Sequence, residues 1–296
     1  MKVANELIAD DLFGEPETEP QPAEPETTRP VAGRIANKAA MVFDIETGPV
    51  ASDELEDLFE FDPTSLKEHD LLGAEFDPAS VKLGNLKDKQ KIKDKIEAER
   101  QKFDRAKAGA ETAIEQAREE AWLKLVDRAA LSPLTGQVLA IGVWWSSGSP
   151  EPALYLQGED GFESETNLLT EWWDLVRDAI RTDSRLIGFN SDAFDLPFLV
   201  RRSWKLGVVV PPEVLVAGRW HRCFVDLMKL WACGVYGERV SMDRLAAYFG
   251  CTRKNGEAAE FARLFHGTDE ERKQAVEYLR NDLRMTLDVA DRMNVI

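Results

Sequence analysis

Met41-Val42-Phe43-Asp44-Ile45-Glu46-Thr47 sets three apolar residues ahead of two carboxylates that stand one residue apart. In a β-strand successive side chains alternate faces, so Asp44 and Glu46 point the same way while Ile45 points into a core. Two neighbouring carboxylates inside a fold repel each other and lose hydration, a cost that a divalent cation removes. The competing account is an edge strand with a solvated acidic face. The choice turns on whether other segments bring carboxylates to the same place.

Outward from this stretch, Gly48-Pro49 breaks the strand, and the next strand pattern is Gly136-Gln137-Val138-Leu139-Ala140-Ile141-Gly142-Val143-Trp144-Trp145. Roughly eighty residues separate the two, too many for a plain loop, so residues 51–130 are expected to be a helical insertion. Within it, Glu54–Phe61 reads as a short acidic helix and residues 85–130 as a long helical pattern, with Gly109 a candidate break into a hairpin. From Lys82 to Lys107 the insertion carries ten basic residues against five acidic ones. It is either a local phosphate-binding stretch or a solvated face with intrahelical ion pairs.

On the other side, residues 1–38 are Pro/Glu-rich with little to bury and read as a disordered acidic tail. They contain no apolar segment of the kind a secretory signal needs. The chain of 296 residues has 44% hydrophobic and 31% charged residues, an ordinary globular composition. No apolar run reaches the length of a membrane span. Three cysteines without motif spacing, Cys223, Cys233 and Cys251, suggest reduced thiols in a cytoplasmic protein rather than a disulfide or metal framework. A net charge of -17 argues against coating nucleic acid by bulk charge, but it is compatible with gripping a few phosphates through metal ions and a local basic patch.

Downstream, Pro152–Leu156 reads as a third strand and Glu165–Ile180 as a helix with a broad apolar stripe. The pairs Trp144-Trp145 and Trp172-Trp173 fit core packing where they match the apolar periodicity, with base stacking the alternative. Arg185–Asn190 reads as a fourth strand, followed by a helix with Asp195 at or near its N-cap and Pro197 in its first turn. Cys223–Val225 reads as a short strand, and helices follow from about Asp226 and over Met242–Phe249. Asp226 is a candidate for a place behind the site. The last helix opens with a capping box, Thr268 and Glu271, and stacks Tyr278 one turn ahead of Asp282.

Acidic residues from three segments can therefore meet: Asp44 and Glu46, Asp195, and Asp282. The set resembles the DEDD superfamily of 3′–5′ exonucleases, of ribonuclease H-like fold. Asp44-Ile45-Glu46 matches its first motif, Asn190-Ser191-Asp192-Ala193-Phe194-Asp195 the second, and Tyr278-Leu279-Arg280-Asn281-Asp282 the third, in the Tyr-bearing DEDDy form. The position at which the other branch carries His is Glu277. Phe43–Thr47 and Phe194–Leu199 are most similar to the exonuclease domain of family B DNA polymerases and its stand-alone bacterial and phage relatives. The resemblance covers residues 40–50 and 130–296; the tail and the insertion fall outside it.

The resemblance implies an α/β fold, with a mixed central sheet flanked by helices, over residues 39–296. It implies an enzyme that hydrolyses single-stranded DNA from the 3′ end with two divalent cations, Mg²⁺ or Mn²⁺. Two such ions about 4 Å apart can activate water, neutralise the phosphate and stabilise the leaving oxygen. Asp44, Glu46, Asp195 and Asp282 would be metal ligands and Tyr278 would orient the attacking water. Thr47, Asn190 and Phe194 would lie against the terminal nucleotide. Alternatives are a 3′–5′ exoribonuclease and a catalytically silent nucleic-acid-binding module. The absence of a GxxxxGK[ST] loop speaks against ATP coupling. No polymerase domain fits in this length, so any replication or repair partner would be served in trans.

Overall fold

The structure is a computed structural model that describes residues 39–147, 149–254 and 260–296; the expected disordered tail, residues 1–38, lies outside them. Its centre is a five-stranded mixed sheet of β1 (Ala40–Pro49), β2 (Gly136–Trp145), β3 (Ala153–Leu156), β4 (Arg185–Gly188) and a strand at Phe224–Asp226. Two further strands, β5 (Leu215–Val216) and β6 (Arg219–Trp220), form a separate small ribbon, so the Phe224–Asp226 strand is β7. The sheet order is β3-β2-β1-β4-β7. β1 runs antiparallel to β2 and parallel to β4, and β4 is parallel to β7.

The helices in chain order are α1 (Ser52–Leu58), α2 (His69–Leu72), α3 (Lys89–Arg128), α4 (Glu165–Thr182), α5 (Asp195–Leu206), α6 (Leu227–Trp231), α7 (Met242–Phe249), α8 (Phe261–Phe265) and α9 (Asp269–Arg292). None is long and apolar enough to cross a membrane. The alternation of β1 sorts them into two layers. Met41, Phe43 and Ile45 pack with Trp172 and Trp173 of α4 and with Leu196, Phe198 and Leu199 of α5. Ala40 and Val42 face Phe261 and Phe265 of α8 and Leu279 and Leu283 of α9. By the same alternation Asp44 and Glu46 continue the α9 face. Trp172 and Trp173 are fully buried, so core packing and not base stacking describes them.

Glu165, the first residue of α4, forms a buried ion pair with Arg202 of α5 at 2.6 Å and also accepts the Val138 N–H at 2.9 Å. One carboxylate thereby joins both helices of that layer to β2. The capping box expected at Thr268 and Glu271 is present and opens α9.

The insertion departs from expectation at one point. α3 is a single unbroken helix of 40 residues, not a hairpin broken at Gly109. Ala106, Ala108 and Ala110 surround that glycine, and a lone glycine among strong helix formers costs only about 1 kcal/mol. Its periodic apolar residues do not make a buried stripe: Ala110 is its only buried residue. Local contacts hold it instead. Phe103 meets Phe76 at 5.8 Å, Lys107 Nζ donates to the Ala74 carbonyl at 3.1 Å, and Trp122 meets Phe59 at 5.3 Å. The chain re-enters the sheet where the Thr47 hydroxyl donates to the Ala130 carbonyl at 2.6 Å.

Candidate active site

Asp44, Glu46 and Asp282 each offer a carboxylate oxygen, and the three oxygens lie within 4.8 Å of one another. β1 supplies the first two from its α9 face, and α9 supplies the third. The approach of α9 depends on Gly142, which pairs with Asp44 across the β1–β2 ladder. A Cβ there would stand 2.6 Å from Leu283 and 3.1 Å from Leu279, the neighbours in sequence of Asp282 and Tyr278. Just past Glu46 the β1–β2 register shifts by a bulge, which ends the regular alternation where the carboxylates end.

A cleft of about 500 Å³ opens over these groups, and its walls include all eight residues expected at the site: Asp44, Glu46, Thr47, Asn190, Phe194, Asp195, Tyr278 and Asp282. Asp195 is the first residue of α5 and is buried; it stands outside the 4.8 Å cluster but lines the same cleft. The loop that carries it is held from below by Asp226, which accepts the N–H of Asn190 at 3.0 Å and of Asp192 at 3.1 Å while capping α6. Asn190 takes a left-handed backbone (φ 56°) in that loop. Phe194 packs on Phe198 with ring centroids 5.7 Å apart.

Burial and mutual repulsion govern the electrostatics. Burial raises Asp44 well above the usual carboxylate range, and the charges of Asp195 and Asp282 raise it further. Glu46 is raised by burial, then by Asp44 and Asp282. Burial pushes Asp195 up to about 7 against the lowering effect of the backbone amides of Asp195 and Ile45. Asp282 is raised by burial and partly relieved by Lys254. Burial and the charges of Asp282 and Glu46 hold the Tyr278 phenol far above its ordinary value.

Lys254 is the residue that motif reading missed. Its ammonium stands 3.8 Å from Asp282 Oδ2 and 5.0 Å from the centre of the Tyr278 ring. No spacing marks it. It arrives because the chain past α7 folds back: Arg253 pairs with Asp243, and Asn281 of α9 donates to the Arg253 carbonyl at 3.1 Å.

Hard oxygen donors converging from several elements suit a divalent cation. Asp282 Oδ1 and Tyr278 Oη are buried, and beyond the contact between these two side chains no hydrogen-bond partner satisfies them among the described residues, as expected of groups built to face a ligand or its water. Asp44, Glu46 and Asp282 thus form a candidate acidic metal cluster.

The RNase H superfamily model matches residues 129–294. The chain belongs to the RNase H superfamily. The match starts at the end of the insertion, so the strand bearing Asp44 and Glu46 precedes it; β1 is the central strand of the five-stranded sheet. The solved family B DNA polymerase from the hyperthermophilic archaeon Pyrobaculum calidifontis is similar over 56% of this chain and 23% of its own, with 23% identity and a TM-score of 0.44. This RNase H superfamily chain therefore spans under a quarter of that polymerase. No curated protein matches it.

Proposed function

We propose that the chain is a metal-dependent 3′–5′ exonuclease that hydrolyses single-stranded DNA to nucleoside 5′-monophosphates. One observation carries this reading: four carboxylates and a tyrosine, from three segments spread between Asp44 and Asp282, line one cleft in the order and on the elements of the DEDDy motifs. Membership of the RNase H superfamily supports nuclease chemistry on a nucleic-acid substrate.

Asp44, Glu46 and Asp282 would hold one divalent cation, and Asp195 with Asp44 a second, Mg²⁺ or Mn²⁺. When bound, such ions supply an activated water and neutralise charge at the phosphate. The rest falls to the chain itself. Tyr278 keeps its proton, since its phenol lies far above the ordinary range, so it serves as a hydrogen-bonding partner that aims the attacking water and not as a base. Lys254 brings positive charge to the mouth of an otherwise acidic cleft, where a phosphate must enter. Phe194 and Asn190 form the wall against which the terminal nucleotide rests. Thr47 spends its hydroxyl on Ala130, so its contribution is to fix the rim of the cleft.

The test uses 5′-labelled DNA and RNA strands with Mg²⁺ or Mn²⁺, and Asp44→Ala as control. Shortening of DNA from the 3′ end, lost in Asp44→Ala, is expected. Preference for RNA would move the reading to an exoribonuclease. Failure to shorten either strand would overturn the enzyme reading, and shortening that survives Asp44→Ala would overturn the site.

A further inference from the structure

α6 and α7, which give Met228 and Met242 to the cleft, also carry aromatic residues. Met228 and Met242 line the cleft; one turn or more along the same helices, Trp231 meets Tyr248 edge-on at 5.4 Å. Tyr248 is 73% exposed. The α6–α7 connection carries a further ring. Gly234 and Gly237, both at positive φ, bracket Val235 and Tyr236 in a turn that holds the tyrosine fully in solvent. Large apolar groups exposed together are uncommon without a partner.

Charge says which partner. Residues 227–254 carry five basic residues against two acidic ones, in a chain of net charge -17. Arg239 and Arg244 are exposed there and form no ion pair among the described residues. Two exposed tyrosines and the half-buried Trp231, in a segment whose Arg239 and Arg244 form no ion pair among the described residues, match the mix of stacking surfaces and cations that holds single-stranded nucleic acid. We propose that Trp231, Tyr236 and Tyr248 form a stacking platform for the bases 5′ of the terminal nucleotide. This rests on the nuclease reading and adds the path of the strand to it. A strand that lies on the platform has its 3′ end directed into the cleft, and its affinity grows with length once it reaches the rings.

The experiment compares the full-length protein with a Tyr236→Ala/Tyr248→Ala double variant. Both residues are exposed, and an unchanged melting temperature checks the fold. Binding of 5′-fluorescein oligo-dT of 3 and 12 nucleotides is read by anisotropy with chelator present, so that no turnover is involved. The Kd for the 12-mer is expected to rise about tenfold, the 3-mer to be unaffected, and Tyr236→Phe/Tyr248→Phe to keep native affinity, since a stacking ring needs no hydroxyl. An unchanged 12-mer Kd would overturn the platform and leave the face to a protein partner. Equal loss for both lengths would also overturn it. Degradation of the 12-mer with Mg²⁺ by the native protein is measured alongside: cleavage with an unaffected double variant overturns the platform alone, whereas a native protein that neither binds nor cleaves overturns the nuclease reading with it.

Discussion

Each carboxylate of the cleft is a poor choice for stability, and this has measurable consequences. Asp195 titrates at about 7 in the folded chain against 3.8 for an ordinary aspartate. A raised carboxyl pKa means that the folded state holds a proton the unfolded state has released. The destabilisation is absent below pH 4, grows between pH 4 and 7, and is complete above 7. Asp195→Asn is therefore expected to leave the melting temperature of the chelator-treated protein unchanged near pH 4 and to raise it near pH 8, by a stability on the order of a few kcal/mol. Mg²⁺ or Mn²⁺ is expected to raise the native melting temperature at pH 8 and to do less for the variant. A melting temperature equal in both proteins across that range would refute the assignment. Tyr278→Phe keeps the ring and removes a buried hydroxyl that faces the Asp282 carboxylate, so stability is expected to change by about 1 kcal/mol. Its kcat is expected to fall by about 10²-fold or more, as for a group that positions a reacting water. Denaturation and single-turnover rates measure the two separately. These residues were legible in the sequence because their types and order are chemical requirements. Lys254 was not, because its part comes from a fold-back that leaves no spacing to read.

Among the elements, placement depends on two joints. Gly142→Ala would press a Cβ into Leu283 and Leu279 and move α9 off the sheet. Overpacking of this kind costs about 1–3 kcal/mol, and the accompanying shift of Tyr278 and Asp282 is expected to lower kcat more than it raises KM. Normal activity with normal stability would show that α9 does not need this approach. Arg202→Met leaves Glu165 buried without its cation, and chemical denaturation is expected to show a loss of about 3–5 kcal/mol. The strands and most helices were readable: Met242–Phe249 and the Thr268 cap stand where apolar spacing and cap chemistry put them. Gly109 misled because local signals set the propensity to break, and the alanines on both sides outweigh it.

On the scale of the whole molecule, the insertion is a long exposed helix attached at its base to the strand that holds the site. Neutralising Lys89, Lys91, Lys93 and Lys95 together is expected to weaken strand binding and flatten its salt dependence. Equal affinities of native and variant protein at low and high salt would assign these lysines to the solvated surface instead. The apolar spacing in α3 marked a helix, and that helix is almost wholly exposed. Periodicity reports which side chains share a face, not whether another element is there to cover it.

The sequence by itself determined the strand that carries Asp44 and Glu46, the helix that carries Tyr278 and Asp282, and the order of the carboxylates. Those follow from local rules: side chains alternate along a strand, recur every turn of a helix, and caps begin helices. Only the tertiary structure decided that Asp282 comes within 4.8 Å of the β1 carboxylates while Asp195 stands apart. Only it brought Lys254 over Tyr278 and Trp231 of α6 against Tyr248 of α7. Distances between segments depend on how closely layers pack, and that rests on residues such as Gly142, whose importance lies in the space left for another element.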